Sequence, residues 1–129
     1  MSKPVVKKSL IEIEIGLNED KMPETIQWRS DDNPNGKDFT ECKAISLALF
    51  DKDYKDTLKI DLWTTEMQVI EMDRFMYQTL RSLADTYFRA TNNQQLANDM
   101  QLFVDYFYTL SHRSSRGSQS EERRVGKEC

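Results

Sequence analysis

A change of period at Thr64 constrains this chain more than any other feature. Upstream, Leu58, Ile60 and Leu62 alternate with Lys59, Asp61 and Trp63, the two-residue period of a strand with one buried face. Downstream, Met72, Phe75, Met76, Leu80, Leu83, Ala84 and Tyr87 recur at steps of three and four, which places them on one stripe of a helix. Thr65 and Gln68 have the spacing of a capping box, so the helix is expected to start there. A chain with strands first and helices after them reads as α+β.

The rest of the chain fits that reading. Ser9 to Leu17 forms a first strand, with Ile11, Ile13, Ile15 and Leu17 on one face and Glu12 and Glu14 on the other. Glu24 to Ser30 forms a second. Placing Leu17 opposite Ile26 puts Ile15 against Trp28 and Glu14 against Arg29, an opposite-charge pair. Glu41 to Phe50 reads as a third strand. Pairing Phe50 with Thr57 sets Leu49 against Leu58, Leu47 against Ile60 and Ile45 against Leu62, so the large aliphatics of both strands share a face. The expectation is a four-stranded antiparallel meander, covered on one face by a C-terminal two-helix hairpin. The first helix should end near Ala90, before the capping residues Thr91, Asn92 and Asn93. The second carries Leu96, Met100, Phe103, Val104, Phe107 and Leu110 on its apolar stripe.

Residues 1–8 read as a flexible arm, 9–111 as one domain and 112–129 as a disordered tail. From Ser111 the apolar periodicity is gone, and residues 114–120 are a low-complexity run. Ser120 to Cys129 matches the translation of a widely used sequencing adapter, so it is set aside from fold reasoning. Without the tail, residues 1–111 carry 13 basic and 19 acidic groups, a balance that argues against nucleic acid as a partner. The N-terminus lacks a secretory apolar region and no run reaches membrane-spanning length, so the expected location is cytoplasmic. Cys42 and Cys129 are too few for a disulfide framework. Cys42 reads as a small buried hydrophobe.

Catalytic and metal-binding patterns are weak. The single histidine, His112, has no nucleophile or carboxylate at a motif spacing. Glu12 and Glu14 share a strand face and read as solvated carboxylates. Asp31, Asn33, Asn35 and Gly36 fit the first half of a calcium loop, but the twelfth place is Cys42, with Glu41 one position early. A plain strand connection is the expectation, with no metal and no cofactor. The face of the last strand pair turned away from the helices is unusual. It presents Phe50 beside Thr57, Ala48 beside Lys59, Ser46 beside Asp61 and Ala44 beside Trp63. Small residues flanked by Phe50 and Trp63 make a surface that a protein can approach closely. Ala44, Ser46, Ala48, Phe50, Lys59, Asp61 and Trp63 are therefore the candidate interaction face. The alternative is that the arm, with Pro4, Val5 and Val6, folds over it.

The run from Thr57 to Thr64, with Glu71-Met72, Phe75, Gln78-Thr79-Leu80, Ala84-Asp85-Thr86 and Arg89-Ala90-Thr91, resembles the GldC gliding-motility protein family. Glu14-Ile15-Gly16-Leu17-Asn18-Glu19 and Pro23 extend the likeness, which spans roughly residues 9 to 110. The resemblance implies a non-enzymatic cytoplasmic accessory or adaptor of bacterial gliding, tied to type IX secretion, with protein partners from that machinery. It supplies no catalytic residues. The order of four strands and two helices is also similar to SecB-type export chaperones, which are acidic oligomers. A SecB-like holdase and a small metal-binding or enzymatic module stand as alternatives, and a homo-oligomer without direct membrane insertion is expected.

Overall fold

The computed structural model describes residues 3–34 and 36–118, with side chains through His112. It is α+β, with five strands followed by two helices: β1 (Ile11–Leu17), β2 (Pro23–Ser30), β3 (Thr40–Cys42), β4 (Ala44–Phe50), β5 (Thr57–Trp63), α1 (Val69–Thr91) and α2 (Gln94–Ser118). Two compact units divide at Met67 and Gln68, the strands in one and the helices in the other.

The four-stranded meander is not formed. β1, β2 and β3 make one sheet, and β4 and β5 make a separate two-stranded ribbon. The expected third strand is broken at Lys43, its first half paired with β2 and its second with β5. The cause lies in the backbone after β5. Thr64 donates its N–H to the Lys43 carbonyl at 2.8 Å, and Thr65 donates to the Pro23 carbonyl at 3.2 Å. A continuous meander would have carried the β2 ladder past Cys42 toward Pro23, but Thr64 and Thr65 occupy acceptors at that boundary. The Thr65 hydroxyl also donates to Glu24 at 2.8 Å, and the same carboxylate accepts from Asn18 at 2.9 Å. Among the described residues of this unit, Pro23, Ile26, Thr64 and Met67 are buried.

The β1–β2 register differs from expectation by two residues. Ile15 faces Ile26, Ile13 faces Trp28 and Glu12 faces Arg29. A two-residue slip keeps every side chain on its expected face, so alternation could not distinguish the registers. The turn decides between them. Asn18 accepts the Lys21 N–H on its carbonyl, and its side chain accepts from Asp20 and Met22. Lys21 adopts the left-handed conformation at φ 64°. The register then shifts between Gly16 and Leu17, where a β-carbon on Gly16 would run into the Thr25 hydroxyl.

The β4–β5 register is as expected, from Phe50 opposite Thr57 through Ala44 opposite Trp63. Its turn repeats the device of the first. The Asp51 carboxylate accepts the Asp53 and Tyr54 N–H groups, and Lys55 is left-handed at φ 59°.

In the helical unit, α1 starts three residues later than the expected capping box. Gln68 is the N-cap, and its backbone N–H donates to Glu71 Oε1 at 3.0 Å. Thr65 is instead engaged with Pro23 and Glu24. At the other end Asn92 closes α1 in the left-handed conformation, donating to Phe88 O at 2.7 Å. The Asn93 side chain caps α2 by accepting the Leu96 N–H at 3.1 Å. This two-residue connection turns the chain back into an antiparallel hairpin. α2 runs through Ser118, past the point where apolar periodicity stops, because backbone hydrogen bonds need no apolar stripe to continue. The remainder of the expected tail lies outside the described residues.

The seam between the helices holds Ala84, Ala97 and Val104, all buried, and closes with Tyr77 against Tyr108, ring centroids 4.7 Å apart. The expected α1 stripe is therefore not one buried surface. Ala84 lies in the seam, whereas its neighbour Leu83 is 51% exposed.

Candidate interaction surface

Backbone pairing brings the seven candidate residues together on one face of the β4–β5 ribbon. Ala44 and Trp63 lie half-buried at one end, and Phe50, 69% exposed, lies at the other. The middle is polar. Lys59 Nζ donates to Ser46 Oγ at 2.5 Å and to Asp61 Oδ1 at 2.7 Å, while Ser46 Oγ donates to the same carboxylate oxygen at 2.7 Å. The hydrogen bond from Lys59, with that from Ser46, holds the Asp61 carboxyl below its ordinary range. The alternation Ala44, Ser46, Ala48 keeps β4 low on this face, so the long side chains of the cluster, Lys59 and Asp61, come from β5. The arm does not bury Val5 and Val6 there or elsewhere, since both are exposed. Lys7 instead reaches Asp32 at 3.7 Å, and Ser9 donates to the same carboxylate.

Sequence reasoning missed the other face of the ribbon. Leu47, Leu49, Leu58 and Ile60 lie there as the register requires, yet Leu49 is 49% and Leu58 60% exposed. Alternation marks which residues share a face but carries no information on whether that face is covered.

The catalytic candidates are not assembled into a site. Glu12 is committed to Arg29, with Arg29 Nε to Glu12 Oε1 at 2.8 Å and the guanidinium 4.4 Å above the Phe39 ring. Glu12 accordingly raises the Arg29 pKa. In the calcium-like loop, the Asp31 carboxylate accepts the Leu10 N–H at 3.1 Å, and Asp32 serves Ser9 and Lys7. Among the described residues no group of three or more potential ligands converges on a metal position. Burial pushes the Cys42 thiol above its usual range despite a hydrogen bond with the Ala44 backbone, which disfavours the reactive thiolate. His112 stacks on Tyr108 at 3.9 Å and its Nδ1 lies 3.0 Å from the Tyr108 carbonyl. Both line an open cavity of about 410 Å³ with Asp73, Arg74 and Tyr77. Among the described residues no helix is long and apolar enough to cross a membrane.

The family model described as "Gliding motility-associated protein GldC-like" matches residues 23–113. Comparisons with curated proteins and with solved structures gave no match. The matched segment runs from β2 into α2 and contains the whole β4–β5 ribbon. The chain therefore belongs to the GldC-like family of gliding motility-associated proteins.

Proposed function

We propose that this protein is a non-enzymatic cytoplasmic adaptor of bacterial gliding, tied to type IX secretion, and that it holds a protein partner on the β4–β5 ribbon. The observation that carries the reading is the family match across residues 23–113. The ribbon supports it with a low strand, an exposed Phe50, a half-buried Trp63 and the Ser46–Lys59–Asp61 cluster between them. An aromatic anchor beside small residues suits close approach, and the central charges supply orientation. Deleting the gene in its host should abolish colony spreading, and the wild-type gene should restore it. Complementation with Ala48→Glu or Trp63→Ala should fail although the protein accumulates. Normal spreading of the deletion strain would remove the motility role, and full rescue by both variants would remove the face.

A holdase of SecB type is favoured by one observation, the exposed Leu49, Leu58 and Ile60 on the opposite ribbon face. Exposed aliphatics in one row suit unfolded segments of many sequences. Suppressed aggregation of several unrelated clients, lost in Leu58→Glu, would favour this reading over the adaptor. Capture of motility components alone would favour the adaptor.

A further inference from the structure

The α1–α2 hairpin has one face of unusual composition. With about 100° of rotation per residue, the buried seam residues Ala84, Ala97 and Val104 fix where every other position points. On α1, Met72, Met76 and Leu83 fall about a quarter-turn or more to one side of the seam. On α2, Leu96, Phe103 and Leu110 do the same in the same rotational sense. Because the helices run antiparallel, equal rotational senses place both rows on the same face of the hairpin. Met100 and Phe107 fall with the α2 row and no position in either row carries a charge, whereas Phe75 falls about half a turn from the seam. Arg74, Arg81, Asp85 and Asp105 fall elsewhere, and Asp99 lies at the outer border of the α2 row near Leu110.

We propose that this face is where a second copy of the chain docks, two hairpins closing into a four-helix bundle about a two-fold axis. The exposed fractions are large: Met76 38%, Leu83 51%, Leu96 45%, Phe103 55% and Leu110 38%. Taking roughly 200 Å² for a large apolar residue, these five leave on the order of 450 Å² of apolar surface. Interfaces are about 60% apolar, so the patch corresponds to a footprint of roughly 750 Å² per copy. That is close to the ~800 Å² each partner contributes to a stable interface. A second copy fits better than an unrelated surface for two further reasons. Two rows without charged groups, bordered on α2 by Asp99, meet their own image with little like-charge repulsion. Helices of 23 and 25 residues also match themselves in length, as an up-and-down bundle requires.

The test is light scattering after size exclusion on the full chain, in reductant, from about 1 to about 100 µM. The expected result is a dimer at the upper concentrations. Leu83→Glu and Phe103→Glu should each weaken it at least about 30-fold, with helix content unchanged by circular dichroism. Leu102→Glu is the control, since Leu102 is 66% exposed but lies on the far side of α2, and it should leave the dimer intact. If either glutamate variant loses helix content, Leu83→Ser and Phe103→Ala replace them. A wild-type monomer at about 100 µM overturns the proposal. So does an assembly that withstands both variants, one equally weakened by Leu102→Glu, or one dissolved by Ala48→Glu alone. The inference does not rest on the motility role, and a failed motility phenotype leaves it standing.

Discussion

Asp61 shows what a single exposed side chain contributes. Its carboxylate accepts from Lys59 and Ser46, and both bonds favour the charged form, so the folded pKa is depressed. Stability from such a group is present above the unfolded pKa and is lost as pH falls through the folded value. A carbon-detected titration should place the Asp61 midpoint below the ordinary aspartate range, and Lys59→Met should return it upward. An unchanged midpoint in that variant would show the ion pair to be inconsequential in solution. Ala84 and Leu83 teach a second lesson at this scale. Ala84 is 4% exposed in the helix seam and Leu83 is 51% exposed beside it. Ala84→Leu should therefore cost about 1–3 kcal/mol by overpacking. Leu83→Ala should cost well under the ~2–5 kcal/mol of a core leucine when the protein is dilute. Urea titration at low concentration measures both, and equal losses would place Leu83 in the core after all.

At the scale of elements, the connections carry specific backbone demands. Asn92 sits at φ 59° and closes α1 through its bond to Phe88 O, while Asn93 caps α2. Replacing Asn92 with Ala should cost roughly 1 kcal/mol, because a β-carbon disfavours the left-handed region and alanine lacks asparagine's local hydrogen bonds. Asn92→Gly should be neutral or stabilising at the same position. Matching thermal midpoints for the two variants would show that this conformation is not held in solution. The strands depend on their junction in a similar way. Two strands alone make a marginal ribbon, but the Thr64 bond to Lys43 continues the β4–β5 ladder beyond Trp63, and the Thr65 bond to Pro23 anchors the following turn. Thr65→Val would remove the bond to Glu24 and keep the backbone bond. A small loss, about 1 kcal/mol, is the expected outcome in denaturant titration.

For the molecule as a whole, the acidic surface and the calcium-like loop make ion binding the natural question. The Asp31 and Asp32 carboxylates are already engaged by Leu10, Ser9 and Lys7. Recruiting them to a cation would break the tie between the N-terminal arm and the β2–β3 connection. Calorimetry with calcium should therefore show no micromolar affinity. A clear binding isotherm abolished by Asp31→Ala would overturn that expectation.

What the amino-acid sequence determined by itself was local. The two-residue and three-to-four-residue periods located the main strand and helix segments, and the aliphatics of Ala44–Phe50 and Thr57–Trp63 were enough to set their register. The stopping and capping residues Thr91, Asn92 and Asn93 marked the end of α1 near Ala90, and the structure closes it at Asn92 in the left-handed conformation. The seven candidate surface residues were legible together for the same reason, as a matter of parity along two strands. Only the tertiary structure decided the rest. A two-residue slip in β1–β2 preserves every face, so the Asn18 turn had to choose the register. The break at Lys43 depends on hydrogen bonds from Thr64 and Thr65, which lie more than twenty residues along the chain from Lys43 and about forty from Pro23. Which apolar stripes are buried was likewise invisible, since periodicity gives the direction of a side chain and not what stands opposite it.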